Sequence, residues 1–154
     1  MASQKILLPY NFTSYDQKAL DFVIRTFGQV KDVEITLFNS YTPVPVIEKS
    51  DSPVMDKLRG NLTYLSQRIH EQEEGLKVAK RNLLENGFSE DQIHYVFKPR
   101  KKDISGEIID LALNGQYDIV VINRKPGRVT RFFTGSVLNK VASALKNVII
   151  CVVT

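Results

Sequence analysis

A chain of 154 residues, 43% hydrophobic and 25% charged, has the composition of one ordinary globular domain and excludes a fibrous or disordered protein. The formal charge is +4, but it is distributed unevenly: no acid follows Asp118, so residues after it are +6 and the first 118 are −2. Such a one-sided cationic tail favours an anionic partner, and a solvated face is the equally weighted alternative on charge alone.

The N-terminus "MASQKILLP" enters a strand-like run without the long apolar segment of a signal peptide, and no stretch approaches membrane-spanning length. The cytoplasm is the expected compartment. "KILLP" (5–9) ends at proline, and Ser14 with Gln17 offers a capping box for a helix whose apolar face is Ala19, Leu20, Val23, Ile24 and Phe27. Gly28 is expected to close that helix in a left-handed cap.

"VEITLFNSY" (33–41) is rich in β-branched and aromatic residues and gives way to the proline-bearing "TPVPV". Ser52-Pro53 reads as the N-cap and first position of a long helix running through Leu58, Leu62, Leu65, Ile69, Leu76 and Leu83 to Asn86-Gly87. A helix of that length is unusual in a small domain, so a break near Gly60 or a kink near Gly75 is expected. "IHYVFKP" (93–99) is a third strand, and the cations after it, Lys98, Arg100, Lys101 and Lys102, are expected to be solvated.

Asp103 can cap a helix containing Ile104, Ile108 and Leu111 that ends at Asn114-Gly115. "DIVVIN" (118–123) is a fourth strand, and a helix from about Gly135 to Leu145 leads to a fifth, "NVIICVV" (147–153). Cys151 has no partner cysteine and reads as a small buried hydrophobe.

Five strands thus alternate with four helices. Strands that are continuously apolar are those covered on both faces, which predicts a parallel α/β sheet within a single domain over 1–154. Ligands of such sheets bind beyond the carboxyl ends of the strands, where strand order reverses, so the loops "PYNFTS" and "NRKPGRVTRFFTGS" are the places to look. The second is cationic (Arg124, Lys125, Arg128, Arg131) and ends in Gly135-Ser136 at the start of a helix, a setting suited to an anion. A plain helix cap is the alternative for that pair.

No Gly-x-Ser-x-Gly elbow or Walker loop is present, and His70 and His94 lack neighbours at metal-ligand spacing. Phe132 and Phe133 read as anchors of the loop to the core. A nucleic-acid partner is not expected, because no recognised reading motif or aromatic platform accompanies the cations.

The chain resembles the universal stress protein family over nearly its whole length. "KILLPYNFTSYDQKAL" looks like its first strand, loop and helix, and "GEIIDLALNGQYDIVVI" with "TGSVLNKVASALKNVIICVV" like its closing half. The resemblance implies an open five-stranded parallel sheet of order 3-2-1-4-5 with helices on both faces, usually dimeric, in a family with ATP-binding and nucleotide-free members. The binders carry Gly-x2-Gly-x9-Gly-[Ser/Thr] after the fourth strand.

In this chain Gly135-Ser136 keeps the last pair, but the earlier glycine positions fall on Lys125 and Ile122, or, with a one-residue deletion, on Asn123 and Pro126-Gly127. Asn tolerates a left-handed backbone and Pro-Gly builds a type II turn, so the chain reversal is retained while Pro126 removes an N–H donor. Asn11 stands where the ATP binders have aspartate.

The resemblance therefore gives a candidate site for ATP or another phosphate-bearing anion. Pro9, Tyr10 and Asn11 follow the first strand, and Ser40 and Tyr41, beside Asn39, line the base pocket. Ile122, Asn123, Arg124, Gly127, Arg128, Gly135, Ser136, Val137 and Leu138 come from the fourth-strand loop and the helix after it. The implied role is a non-enzymatic, stress-responsive switch, a homodimer through the C-terminal strand, with no metal ligand identified. A nucleotide-free interaction module is the alternative, and slow ATP hydrolysis stays open with no residue nominated as base.

Overall fold

The computed structural model of the chain describes residues 3–45, 53–124 and 137–154. Its sheet comprises β1 (Gln4–Pro9), β2 (Val33–Tyr41), β3 (Ile93–Pro99), β4 (Ile119–Asn123) and β5 (Ile149–Val153). The pairings of these strands are parallel and the order is β3-β2-β1-β4-β5, as the family resemblance implies. The helices are α1 (Ser14–Phe27), α2 (Pro53–Glu85), α3 (Ile104–Asn114) and α4 (Val137–Ala144), with a short 3-10 turn at Glu90–Gln92.

Both faces of the sheet are covered, which explains the uninterrupted apolar strands. Ile6 and Leu8 of β1 point with Ile35, Leu37 and Val121 into a core completed by Leu20 and Val23 of α1 and Leu76 and Leu83 of α2. Leu7, between them, faces the opposite core with Val120, Ile122, Ile108 of α3 and Val141 of α4. Each fully buried aliphatic side chain contributes about 1.5–3 kcal/mol.

Cys151 is partly buried against the first core, not fully interior. Of β5, Ile149 and Val152 are exposed, and among the described residues the strand pairs only with β4.

Three local expectations are corrected. The capping box of α1 is Thr13 with Asp16, one residue earlier than Ser14 with Gln17. Asp16 accepts the Thr13 N–H and hydroxyl while its own N–H donates to Thr13 Oγ1, so the box closes on the shorter, acidic side chain. Gly28 is right-handed, at φ −61° and ψ −16°. A side chain there would stand 2.5 Å from the Ile24 carbonyl oxygen. Among the described residues the left-handed glycine is Gly87, at φ +105°, where a Cβ would stand 2.6 Å from the Gly28 carbonyl oxygen.

α2 runs without interruption past Gly60 and Gly75 for 33 residues. Single glycines cost a helix about 1 kcal/mol each, which its strong helix formers absorb. Its predicted cap Ser52 lies outside the described residues. Of the helix, only Leu76, Ala79 and Leu83 are buried, so its N-terminal half extends past the sheet.

Candidate functional site

At the carboxyl ends of the strands lies a cavity of about 280 Å³. Its floor is the end of β1 and its loop (Pro9, Tyr10, Asn11) and the end of β4 (Ile122, Asn123). β2 contributes Phe38, Asn39 and Ser40, the start of α1 gives Thr13, Tyr15 and Asp16, and Ile104 and Ile108 of α3 form an apolar wall. Arg100 and Val137 complete it. The strand order reverses between β2-β1 and β4-β5, so the cavity occupies the topological switch point at which ligands of doubly wound sheets bind.

Asn39, 5% exposed, organises the β1 end. Its Nδ2 donates to the Tyr10 carbonyl at 2.9 Å and, more weakly, to Asn11 Oδ1 at 3.5 Å. Among the described residues its Oδ1 is buried without a hydrogen-bond partner. Burial, followed by the negative charges of Asp16 and Asp21, holds the Tyr10 phenol above its ordinary pKa, and its hydroxyl points to Gln17 Oε1.

Arg100 is not the solvated cation expected from the sequence. It is half-buried, donates Nη2 to the Ser40 carbonyl at 3.2 Å, and keeps Nε buried without a partner among the described residues. Glu107 explains its placement. This carboxylate, 4% exposed at the start of α3, accepts the Lys101 and Lys102 N–H groups at 2.7 and 2.9 Å and pairs with Lys98 Nζ at 3.2 Å. The segment after β3 therefore curls over Glu107 and carries Arg100 to the cleft. Lys101 and Lys102 stay exposed, Lys102 in a surface pair with Asp110 at 2.6 Å, while Lys98 is half-buried against Glu107.

Asp16 is the other residue that sequence reasoning missed. It is 3% exposed and lines the cavity. Its Oδ2 accepts from Thr13, and its Oδ1 accepts from Asn123 Nδ2, joining the start of α1 to the end of β4. The acidic third position of a capping box was the available signal.

The predicted site residues thus divide into three groups. Pro9, Tyr10, Asn11, Ser40, Ile122, Asn123 and Val137 come together around the cavity. Tyr41, Arg124 and Leu138 are placed nearby but do not line it: Tyr41 stacks on Phe97 with centroids 4.5 Å apart, the Arg124 N–H donates to the Val153 carbonyl, and Leu138 packs on the second core. Gly127, Arg128, Gly135 and Ser136 lie outside the described residues, as do Lys125, Arg131, Phe132 and Phe133. Neither histidine lines the cavity, and among the described residues no cluster of His, Cys, Asp or Glu could hold a metal ion. No helix among them is long and apolar enough to cross a membrane.

Comparison with known proteins gives this architecture a context. No curated protein matches the chain. Solved structures do, at identities that speak for the fold alone. Hypothetical protein MJ0577 superposes with a TM-score of 0.70 at 20% identity, covering 99% of this chain and 96% of its own. A universal stress protein in complex with cAMP gives 0.64 at 16%, covering 100% and 98%. The universal stress protein from Archaeoglobus fulgidus in complex with dAMP gives 0.63 at 17%, covering all of both chains. The family description "Universal stress protein family" matches residues 2–152. With that match spanning nearly every residue and the sheet order as the resemblance implies, the chain belongs to the universal stress protein family.

Proposed function

We propose that this domain is a non-enzymatic, stress-responsive regulator that binds an adenine nucleotide, ATP among the candidates, or a smaller phosphate-bearing anion in the cleft between the loops after β1 and β4. The observation that carries the reading is the cavity itself, which sits at the switch point and gathers the loop after β1, the carboxyl ends of β2 and β4, and Arg100 after β3. Two family members of the same fold were crystallised with cAMP and dAMP, which supports an adenine-bearing guest here.

The residues present suit such a guest. Phe38, Ile104, Ile108 and Ile122 offer apolar walls to a heterocycle, and Ser40, Asn39 and Arg100 offer polar atoms at its edge. A bound nucleotide supplies a charged group that would engage the cations of the sequence after β4 and alter the surface shown to a partner. Arg128 and the backbone N–H groups of Gly135 to Val137 are the proposed phosphate contacts. In this reading the whole chain acts as one domain in the cytoplasm.

The second reading, a nucleotide-free interaction module, is favoured by Asn11 in place of the aspartate and by the missing early glycines. Its working surface would be the β5 edge, where exposed Ile149 and Val152 border backbone that no other described strand pairs, suited to a two-fold partner.

Released ligand distinguishes the two. The purified protein is denatured and the supernatant assayed for adenine nucleotides by mass spectrometry, and thermal unfolding is then followed with added nucleotide. Ligand at 100 times its dissociation constant stabilises by about 2.7 kcal/mol. A shift that is lost on Arg128→Glu supports the nucleotide switch, and no shift at millimolar nucleotide supports the interaction module.

A further inference from the structure

The Asp16 carboxylate occupies the crevice between β1 and β4. It is 3% exposed, lines the cavity, and is held from both sides by Thr13 and by the Nδ2 of Asn123, the last residue of β4. The place where the phosphates of a nucleotide lie in doubly wound folds is the crevice at the strand reversal. Here that crevice is spanned by a carboxylate and an amide, not by bare glycine backbone.

A carboxylate only accepts hydrogen bonds, and the oxygens of a di- or triphosphate likewise only accept. A hydroxyl or amine, by contrast, donates. At the opposite wall Arg100 supplies the cleft's described cation, next to the β2 end. The described cavity therefore presents a charged acceptor at the β1-β4 crevice, and its one described cation on the β2-β3 side, where the neutral Asn39 Oδ1 also stands.

We propose that Asp16 makes this cleft select a nucleoside or nucleoside monophosphate, whose sugar hydroxyls donate into the β1-β4 crevice, over a polyphosphate nucleotide. The inference rests on the adenine reading above and narrows its ligand class. The bulk charge of the protein points the other way: at +4 it attracts the more anionic ligand. A preference for the less charged member of a series therefore isolates the local carboxylate from the global field.

The test is titration calorimetry of the full chain with adenosine, AMP, ADP and ATP, each in EDTA and in Mg²⁺, for the wild type and for Asp16→Asn. The substitution keeps the size and an acceptor for the Thr13 N–H. Expected for the wild type is an affinity that falls along the series, with ATP at least tenfold weaker than adenosine. In Asp16→Asn the gap closes at least fivefold through tighter ATP binding. Should the variant fold poorly, the wild-type series alone decides.

Equal or rising affinity from adenosine to ATP in EDTA overturns the proposal and leaves nucleotide binding intact. So does an unchanged ratio in Asp16→Asn, or an ATP complex that Mg²⁺ makes the tightest of the four in the wild type but not in Asp16→Asn, the outcome of a carboxylate acting as a metal ligand. If none of the four ligands binds the wild type, the nucleotide reading itself fails and this inference falls with it.

Discussion

Phe12 and Gly75 fit together as ring and notch: a Cβ on Gly75 would stand 2.6 Å from the Phe12 Cε1. Phe12 is held at φ +62°, a left-handed backbone uncommon for an aromatic residue, and packs edge-on against Tyr10 with centroids 5.3 Å apart. The glycine that seemed from sequence to mark a kink in α2 instead lets the loop after β1 lie down on the helix. Tyr10 is thereby fixed at the cavity floor.

Gly75→Ala should accordingly destabilise the domain. Overpacking costs about 1–3 kcal/mol, while alanine returns up to about 1 kcal/mol of helix propensity. A net loss of roughly 1–2 kcal/mol in urea unfolding is expected. In a Phe12→Ala background the same substitution should become neutral or stabilising, and a cost that persists there would show that the notch is not what matters.

Glu107 gives the acid sensitivity. Burial pushes its carboxyl upward, but the Lys101 and Lys102 N–H groups and the Lys98 ammonium outweigh it and leave the pKa lowered. A folded pKa below the unfolded value of about 4.3 contributes stability that is complete above that value and is lost as pH falls through the folded pKa. The stability difference between wild type and Glu107→Gln should be largest near neutrality and shrink as pH falls through the folded pKa. Glu107→Ala, which orphans two N–H groups, should cost about 2–5 kcal/mol at pH 7. Denaturant titrations across pH measure both.

Asn39→Leu removes the donor that meets the Tyr10 carbonyl at 2.9 Å. An unsatisfied buried carbonyl costs about 1–3 kcal/mol. Thermal unfolding should report that loss, and ligand affinity should fall with it because Tyr10 and Asn11 lose their tie to β2. An unaltered affinity would remove Asn39 from the site.

On β5, Val152→Asp places a charge on the exposed edge strand. If two copies pair there, sedimentation at micromolar concentration should shift from dimer to monomer with little change in the secondary structure seen by circular dichroism. A wild-type monomer would refute the edge pairing.

The N-terminal half of α2 should open first. Val54, Leu58, Tyr64 and Leu65 are exposed, and burial begins only at Leu76. Isolated helical segments of this length are marginal in water. Amides of 57–70 should exchange at least tenfold faster than those of 76–85, and equal protection would mean that the segment is covered in solution.

The order of elements was legible because apolar runs, Asp103 and Asn114-Gly115 punctuate the chain in ways that local physics enforces. The sheet order and the parallel pairing came from the family resemblance and the two-faced strands. What stayed hidden was decided by tertiary partners. Arg100 reads as one cation among four until Glu107, seven positions on, turns the backbone beneath it. Asp16 carries no sequence signal beyond a helix cap; its place in the cleft depends on Asn123, which arrives from the far half of the chain. Gly28 looks like a reversal signal, yet its requirement is space beside Ile24 and Asn86.

Three consecutive side chains of β1 feed two cores, Ile6 and Leu8 on one side and Leu7 on the other, and the strand bonds to both β2 and β4. Neither half of the sheet can melt while the other stays whole. Heat should therefore dismantle the β-sheet in one sharp transition, and a guest that steadies Pro9 to Asn11 should raise that single temperature without creating a second.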